Sequence, residues 1–361
     1  MNNQTGEALA TARRRVRLVD VAREVGVSVQ VVSKVLNGGV SNVGASATTQ
    51  TRIRDTARQM GYRRHAAGMA LRNQAFRSIG LLLGEADFDA ALPQGVLAGL
   101  MRIAARENYS LNVMAAGPLV GDAVRQSRLL NEQMVDVLII AQSTQPSPEL
   151  VEVASQMPTP VVWLFRDDLE HNVVRFDEAG ATTSLVQHLA QRGAKRVAFV
   201  DLKATPANSI IAVGRRAAFV QACRQCDVEP QLQCDVAVPP EDCAAFWRDW
   251  LTAKTSETPH PGALPGAGAL PGGVIVNCCE GARLLLEVAA QVGVRSPEAL
   301  RVATFDSGRR CVAGLAPITA AILPEDQFGQ ALGDTAIHLA EHPGRTATRV
   351  IACPLQVGAS S

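Results

Sequence analysis

The stretch LVDVAREVGVSVQVVSKVLNG, residues 18–38, decides how this chain is read. Val21, Ala22 and Val25 keep helical spacing and predict a first helix from about Leu18 to Val25. Gly26 follows, the residue type that takes the left-handed conformation ending a helix. Ser28 is then placed to cap a second helix running to about Leu36. Its inward positions are Val31, Val32 and Val35, which leaves Val29, Gln30, Ser33 and Lys34 facing outward. Two short helices joined by a glycine-containing turn, with basic residues after them, form a helix-turn-helix, whose second helix enters the DNA major groove.

Charge supports that reading. The formal net charge of the 361 residues is only +1, yet Arg13 to Arg77 hold 13 Lys/Arg against three acids, and Ser78 to Ser361 hold 22 against 30. One end suits a polyanion and the other does not. With 47% hydrophobic residues the chain can build two or three cores. The expected organisation is a disordered basic tail over 1–15, a helix-turn-helix domain over 16–63, a hinge over 64–77 and a larger domain over 78–361. No apolar h-region follows the arginines at 13–17 and no apolar run is long enough for a bilayer, so a cytoplasmic, nucleoid-associated protein is expected, with no membrane partner. The eight cysteines are then expected to be reduced.

The order D-V-A-x-x-x-G-V-S-x-x-x-V-S-x-V-L-N closely resembles the LacI/GalR repressor family. The likeness continues through ASATTQTRIRDTARQMGY, where Ser46 would cap a third helix ending at Met60, and more loosely to the final VIACP segment. The resemblance implies that Val29, Gln30 and Lys34 read base edges, and that Ser28, Ser33, Asn37, Tyr62 and Arg63 hold phosphates. The chemistry agrees: Gln pairs bidentately with adenine, Lys donates to guanine and Val presses on a thymine methyl. By the same resemblance Leu71 is the hinge wedge for the minor groove. The pattern's Pro, Asn, Ala and Arg are replaced here by Arg64, His65, Gly68 and Met69, which lowers the helical propensity of the segment. The implied partners are a palindromic double-stranded DNA operator, a small-molecule effector and a second copy of the chain in a homodimer.

After Ser78 short apolar runs (79–83, 111–114, 137–141, 161–165, 197–200, 274–276 and 302–305) alternate with amphipathic helical stretches, as in βαβ units around buried parallel strands. Residues 252–273, dense in Gly and Pro, read as a flexible insertion. The whole resembles an all-α headpiece joined to an α/β two-lobed periplasmic-binding-protein-like domain with parallel sheets. By analogy one lobe takes 78–175 with a late return at 310–335, and the other takes 176–305 with the tail. The ligand would lie between lobes at the carboxyl ends of the strands. The resemblance puts Arg215, Asp306, Arg166, Phe165 and Cys278 at that cleft. Phe165 stands where the family has an aspartate, and Asn277-Cys278-Cys279 stands for its A-N-D. Two inward arginines would favour an anionic effector.

Three other readings compete. Cys223 and Cys226 form a C-x-x-C suited to a metal or thiol sensor, but no second C-x-x-C follows, so no metal or other cofactor is expected. An enzyme is disfavoured because P-loop, G-x-S-x-G, G-x-G-x-x-G and H-E-x-x-H patterns are missing. A solute-binding protein without a regulatory role would not need the basic headpiece.

Overall fold

Gly26 at φ 74° ends helix α1 (Leu18–Val25), and the Ser28 hydroxyl accepts the Val31 N–H at 3.3 Å to start α2 (Val29–Leu36). The Ser46 hydroxyl accepts the Thr49 N–H at 3.2 Å and starts α3 (Ala47–Gln59). The Arg52 guanidinium, on α3, donates to the Val25 carbonyl and so satisfies the open C-terminal end of α1. Val21, Ala22, Val25, Val32, Val35, Leu36, Ile53 and Ala57 form the core of this three-helix unit, with Val31 and Tyr62 half-buried at its margin. Burying each Val or Ile side chain stabilises so small a core by about 2 kcal/mol. The helix limits expected from sequence are those found.

The computed structural model describes the chain apart from residues 1–15, 37–43, 64–74, 85–91, 116–129, 131, 133, 203–208, 234–237, 239, 256–269 and 307–316. It divides into two units, Met1–Phe76 and Arg77–Ser361. The expected helix at 66–72, the wedge Leu71, the phosphate contact Asn37 and the basic tail all fall outside the described residues.

The larger unit holds two six-stranded sheets. The first comprises β1 (Ser78–Leu83), β2 (Ser110–Ala115), β3 (Val137–Ala141), β4 (Val161–Leu164), β5 (Val173–Phe176) and β11 (Thr348–Ile351), ordered β11-β5-β4-β3-β1-β2 and parallel throughout. The second comprises β6 (Arg196–Val200), β7 (Glu229–Gln233), β8 (Gly273–Val276), β9 (Arg301–Asp306), β10 (Thr319–Ile322) and β12 (Leu355–Gln356), ordered β12-β10-β9-β8-β6-β7. Only β12 runs antiparallel to its neighbour. The central strands are buried along their whole length because helices cover both faces. α4 (Gln94–Arg106), α6 (Glu178–Gln191), α7 (Ile210–Gln225) and α10 (Glu325–Glu341) share one core with the residues Ile79, Leu81, Ile139 and Phe199. α5 (Pro148–Gln156) covers Leu82, Leu138 and Ile140 on the other face of the first sheet. α8 (Cys243–Thr255) and α9 (Cys279–Gln291) cover Ala198, Val200 and Val274 of the second.

Two boundaries differ from the sequence reading. The late return to the first lobe does not occupy 310–335: β10 stays beside β9 in the second sheet, and the return is made by α10 and β11. The reason lies in a close helix contact. A Cβ on Gly329 of α10 would fall onto the Val96 carbonyl oxygen of α4, so glycine lets these backbones touch and fastens α10 to the first lobe. The insertion is also shorter than 252–273, since α8 continues to Thr255 and β8 begins at Gly273.

Candidate DNA-reading helix and interlobe cleft

On α2 the alternation of buried and open positions sorts the side chains. Val32 and Val35 enter the core, whereas Val29, 41% exposed, with Gln30 and Lys34 stands open to solvent. The Ser28 oxygen accepts the capping hydrogen bond, which leaves its hydroxyl proton to donate to a phosphate. Ser33 is half-buried, Tyr62 is half-buried against the core, and Arg63 is exposed. One face of α2 therefore presents an amide, an ammonium and a small apolar group at helical spacing, the set that can discriminate base edges.

In the larger unit the carboxyl ends of β4 and β5 meet the first turns of α6 and α7. Phe165 sits at φ 62°, a left-handed conformation for a bulky residue, and turns the chain at the end of β4. Its ring stacks on Phe328 at 5.6 Å and Phe176 at 6.5 Å. A cavity of about 70 Å³ opens there, lined by Phe165, Asp167, Arg175, Glu178, Ile210 and Ile211 among others. The lobes touch at its edge, where Ile210 N–H donates to the Ser143 carbonyl at 2.9 Å and Thr144 bridges Ser209.

Beside the cavity lies a buried polar chain. The Arg215 Nε donates to Glu178 Oε2 at 2.6 Å and Nη2 donates to Oε1 at 3.1 Å. Its Nη1 donates to Asn277 Oδ1 at 2.7 Å, while Asn277 Nδ2 donates to Asp201 Oδ1 at 3.1 Å. The guanidinium also lies 3.8 Å from the centre of the Phe305 ring. Cys353 is buried near Glu178: burial first, then that carboxylate, pushes its thiol up to about 12.

The residues expected at the cleft are thus placed unevenly. Phe165 lines the cavity, Arg215 borders it through Glu178, and Asp306 is buried at the end of β9. Cys278 is half-buried at the start of α9. Arg166 does not line the cavity: it lies over the Trp163 ring and pairs with Asp168 at 2.6 and 2.5 Å, which holds that carboxyl below its usual range. The case for an anionic effector rested on two unpaired arginines, and both guanidinium groups are paired here with carboxylates. Nor is the side-chain amide lost after β8, because Asn277 supplies it. Glu178, Asn277 and Asp201 are the residues that sequence reasoning missed; an acid next to a helix start, as in Phe176-Asp177-Glu178, was their one signal.

The thiols part from expectation at one position. Cys279 is disulfide-bonded, with its partner outside the described residues. Cys223 of the C-x-x-C is buried, and burial pushes its thiol up to about 12, the opposite of a reactive thiolate. Among the described residues no group of His, Cys, Asp or Glu could hold a metal ion. No described helix is long and apolar enough to cross a membrane.

Comparison with known proteins completes the description. A model of bacterial regulatory proteins of the lacI family matches residues 17–65. One of periplasmic binding proteins and the sugar binding domain of the LacI family matches 77–257, and one of periplasmic binding protein-like domains matches 186–361. The transcriptional regulator PtxS of Pseudomonas plecoglossicida is 31% identical over 197 residues, covering 54% of this chain and 56% of that protein. The maltose regulon regulatory protein MalI of Escherichia coli is 29% identical, with 53% and 55% covered. The chain spans about half the length of these two relatives. Catabolite control protein A of Staphylococcus xylosus is 23% identical over 81% of this chain and 83% of its own. The crystal structure of the lac repressor dimer bound to operator and the anti-inducer ONPF superposes with a TM-score of 0.79, covering 96% of this chain and 99% of that one at 19% identity, which speaks for the fold alone.

Proposed function

The chain belongs to the LacI family of bacterial regulatory proteins, and from that premise we propose that it is a sequence-specific transcriptional repressor whose hold on a palindromic operator is set by a small molecule between the lobes. The observation that carries this reading is the open face of α2, where Val29, Gln30 and Lys34 stand at base-reading spacing on a packed three-helix core. The related proteins PtxS, MalI and catabolite control protein A are regulators and not enzymes by their names, which supports a binding role. A homodimer follows from the match between two-fold proteins and two-fold operators, and the crystallised lac repressor is a dimer on its operator. The metal- or thiol-sensor alternative loses its ground with the buried, unreactive Cys223.

Base readout and phosphate contact separate in a binding experiment. Gln30→Ala or Lys34→Ala is expected to cost about 1–3 kcal/mol on the best operator and to relax preference at one base pair per half-site. Arg63→Ala is expected to weaken all sequences alike and to lower the salt slope by about one. A Gln30→Ala protein with unchanged base preference would show that α2 is not the reading helix.

A further inference from the structure

We propose that Glu178 is an internal ligand of Arg215, which closes the cleft's buried cation to anionic and polyhydroxyl effectors and leaves compact, largely apolar molecules as the class admitted. The inference rests on reading the interlobe cleft as the effector site. A guanidinium has five N–H donors in a fixed fork. Nε and Nη2 of Arg215 are directed at the two oxygens of one carboxylate, at 2.6 and 3.1 Å. Nη1 is directed at Asn277, at 2.7 Å to its side-chain oxygen and 3.4 Å to its carbonyl. The face of the fork is covered by Phe305 at 3.8 Å. An incoming carboxylate or hydroxyl must therefore displace Glu178 to reach this group.

That displacement is unfavourable on two grounds. Glu178 is tethered to the first turn of α6, so it competes as an intramolecular ligand at high effective concentration. It is also largely buried, its side chain 17% exposed against 6% for Arg215, so the pair is sheltered from screening. An oxyanion in the cavity would meet Glu178 and Asp167 on the wall, with Arg175 as the cation there. The remaining wall is apolar, made by Phe165, Phe176, Ile210 and Ile211, and encloses about 70 Å³. The amide of Asn277, which might have served a polyol, is taken at both ends by Arg215 and Asp201. Polar recognition on this side of the cleft is satisfied from within, and contact area is what remains to a ligand.

Calorimetry on the full chain tests this with sodium gluconate, at ionic strength matched by sodium chloride, and with benzyl alcohol as the apolar probe. Glu178→Ala is expected to bind gluconate at least about tenfold more tightly than the wild type, the scale of a charge-assisted hydrogen bond. The double variant Glu178→Ala with Arg215→Ala is expected to lose that gain. Glu178→Gln, which keeps the shape and removes the charge, is expected to show a smaller gain and serves if the alanine variant does not fold. The wild type is expected to bind benzyl alcohol, and Ile211→Trp, which fills the cavity, to abolish this. Gluconate bound by the wild type as tightly as by Glu178→Ala, or no gain in either Glu178 variant, would overturn the role of Glu178 while leaving the cleft as the effector site. No wild-type affinity for benzyl alcohol would overturn the admitted class. Benzyl alcohol bound equally by Ile211→Trp would instead remove the cleft from the effector reading, whatever the gluconate result.

Discussion

Arg215 shows how one side chain can hold several elements at once. It ties α7 to the start of α6 through Glu178 and to the end of β8 through Asn277. Removing one partner of a buried pair leaves the other charge without compensation, which costs more than the pair contributes. Arg215→Ala is therefore expected to destabilise the larger unit by about 3–5 kcal/mol, read as a lower denaturant midpoint. Pairing Arg215→Ala with Glu178→Gln should recover part of that loss, and equal midpoints for the single and paired variants would show that the stranded carboxylate is not the cause. Arg215 was legible in the sequence from the RRAAF segment. Its partners at 178, 201 and 277 were not, because positions so far apart in the chain are brought together only by the crossing of strands and helices. Gln30 and Lys34 were legible for the opposite reason: a short helix with a fixed inward side determines its own outward side.

The elements differ in the same way. The headpiece helices carry their own punctuation in Gly26, Ser28 and Ser46, and the strands β1 and β3 are long apolar runs bounded by polar residues, so both kinds were readable. β7 reads EPQLQ and β11 reads TRVI, short and partly polar because each lies near a sheet edge, and no apolar run announces them. β10 was assigned to the wrong lobe since sequence order alone cannot say which of two sheets a four-residue strand joins. Around β10 a buried polar cluster gives the second lobe a pH dependence. His188 of α6 is within 2.8 Å of the Ser361 hydroxyl, which is 2.5 Å from that of Thr319 on β10. Burial first, and the Arg192 charge second, depress the folded-state pKa of His188 below the ordinary value of 6.5. The unfolded chain then binds the proton more readily, so this contribution to stability is full above the ordinary pKa and is lost as pH falls through the folded value. The wild type is expected to lose more stability than His188→Gln between about pH 7.5 and pH 5, the range that spans an ordinary histidine titration, in denaturant titrations. Equal losses would place the acid sensitivity elsewhere.

At the scale of the whole molecule, the split of charge was the most informative feature of the sequence. A basic segment preceding an acidic α/β unit separates a polyanion-binding part from a part that has no use for one. The three-helix unit has its own core, so a fragment ending at Arg77 is expected to bind DNA weakly and with steep salt dependence, since one headpiece buries too little surface for tight specific binding. Residues 78–361 alone are expected not to bind, and retention of DNA by that fragment in a gel-shift assay would contradict the division of labour. The two-lobed architecture was legible from the alternation of apolar runs and amphipathic helices, whereas the chemistry of the cleft was not, because a paired arginine and an unpaired one look the same in a sequence. The most direct measurement is selection of binding sites by the full-length protein from a pool of random duplex DNA, followed by footprinting on the winners. The account predicts enrichment of two inverted half-sites, both protected, with the preference inside each half-site relaxed at one base pair by Gln30→Ala. Enrichment of a single asymmetric half-site, or no enrichment over the starting pool, would contradict it.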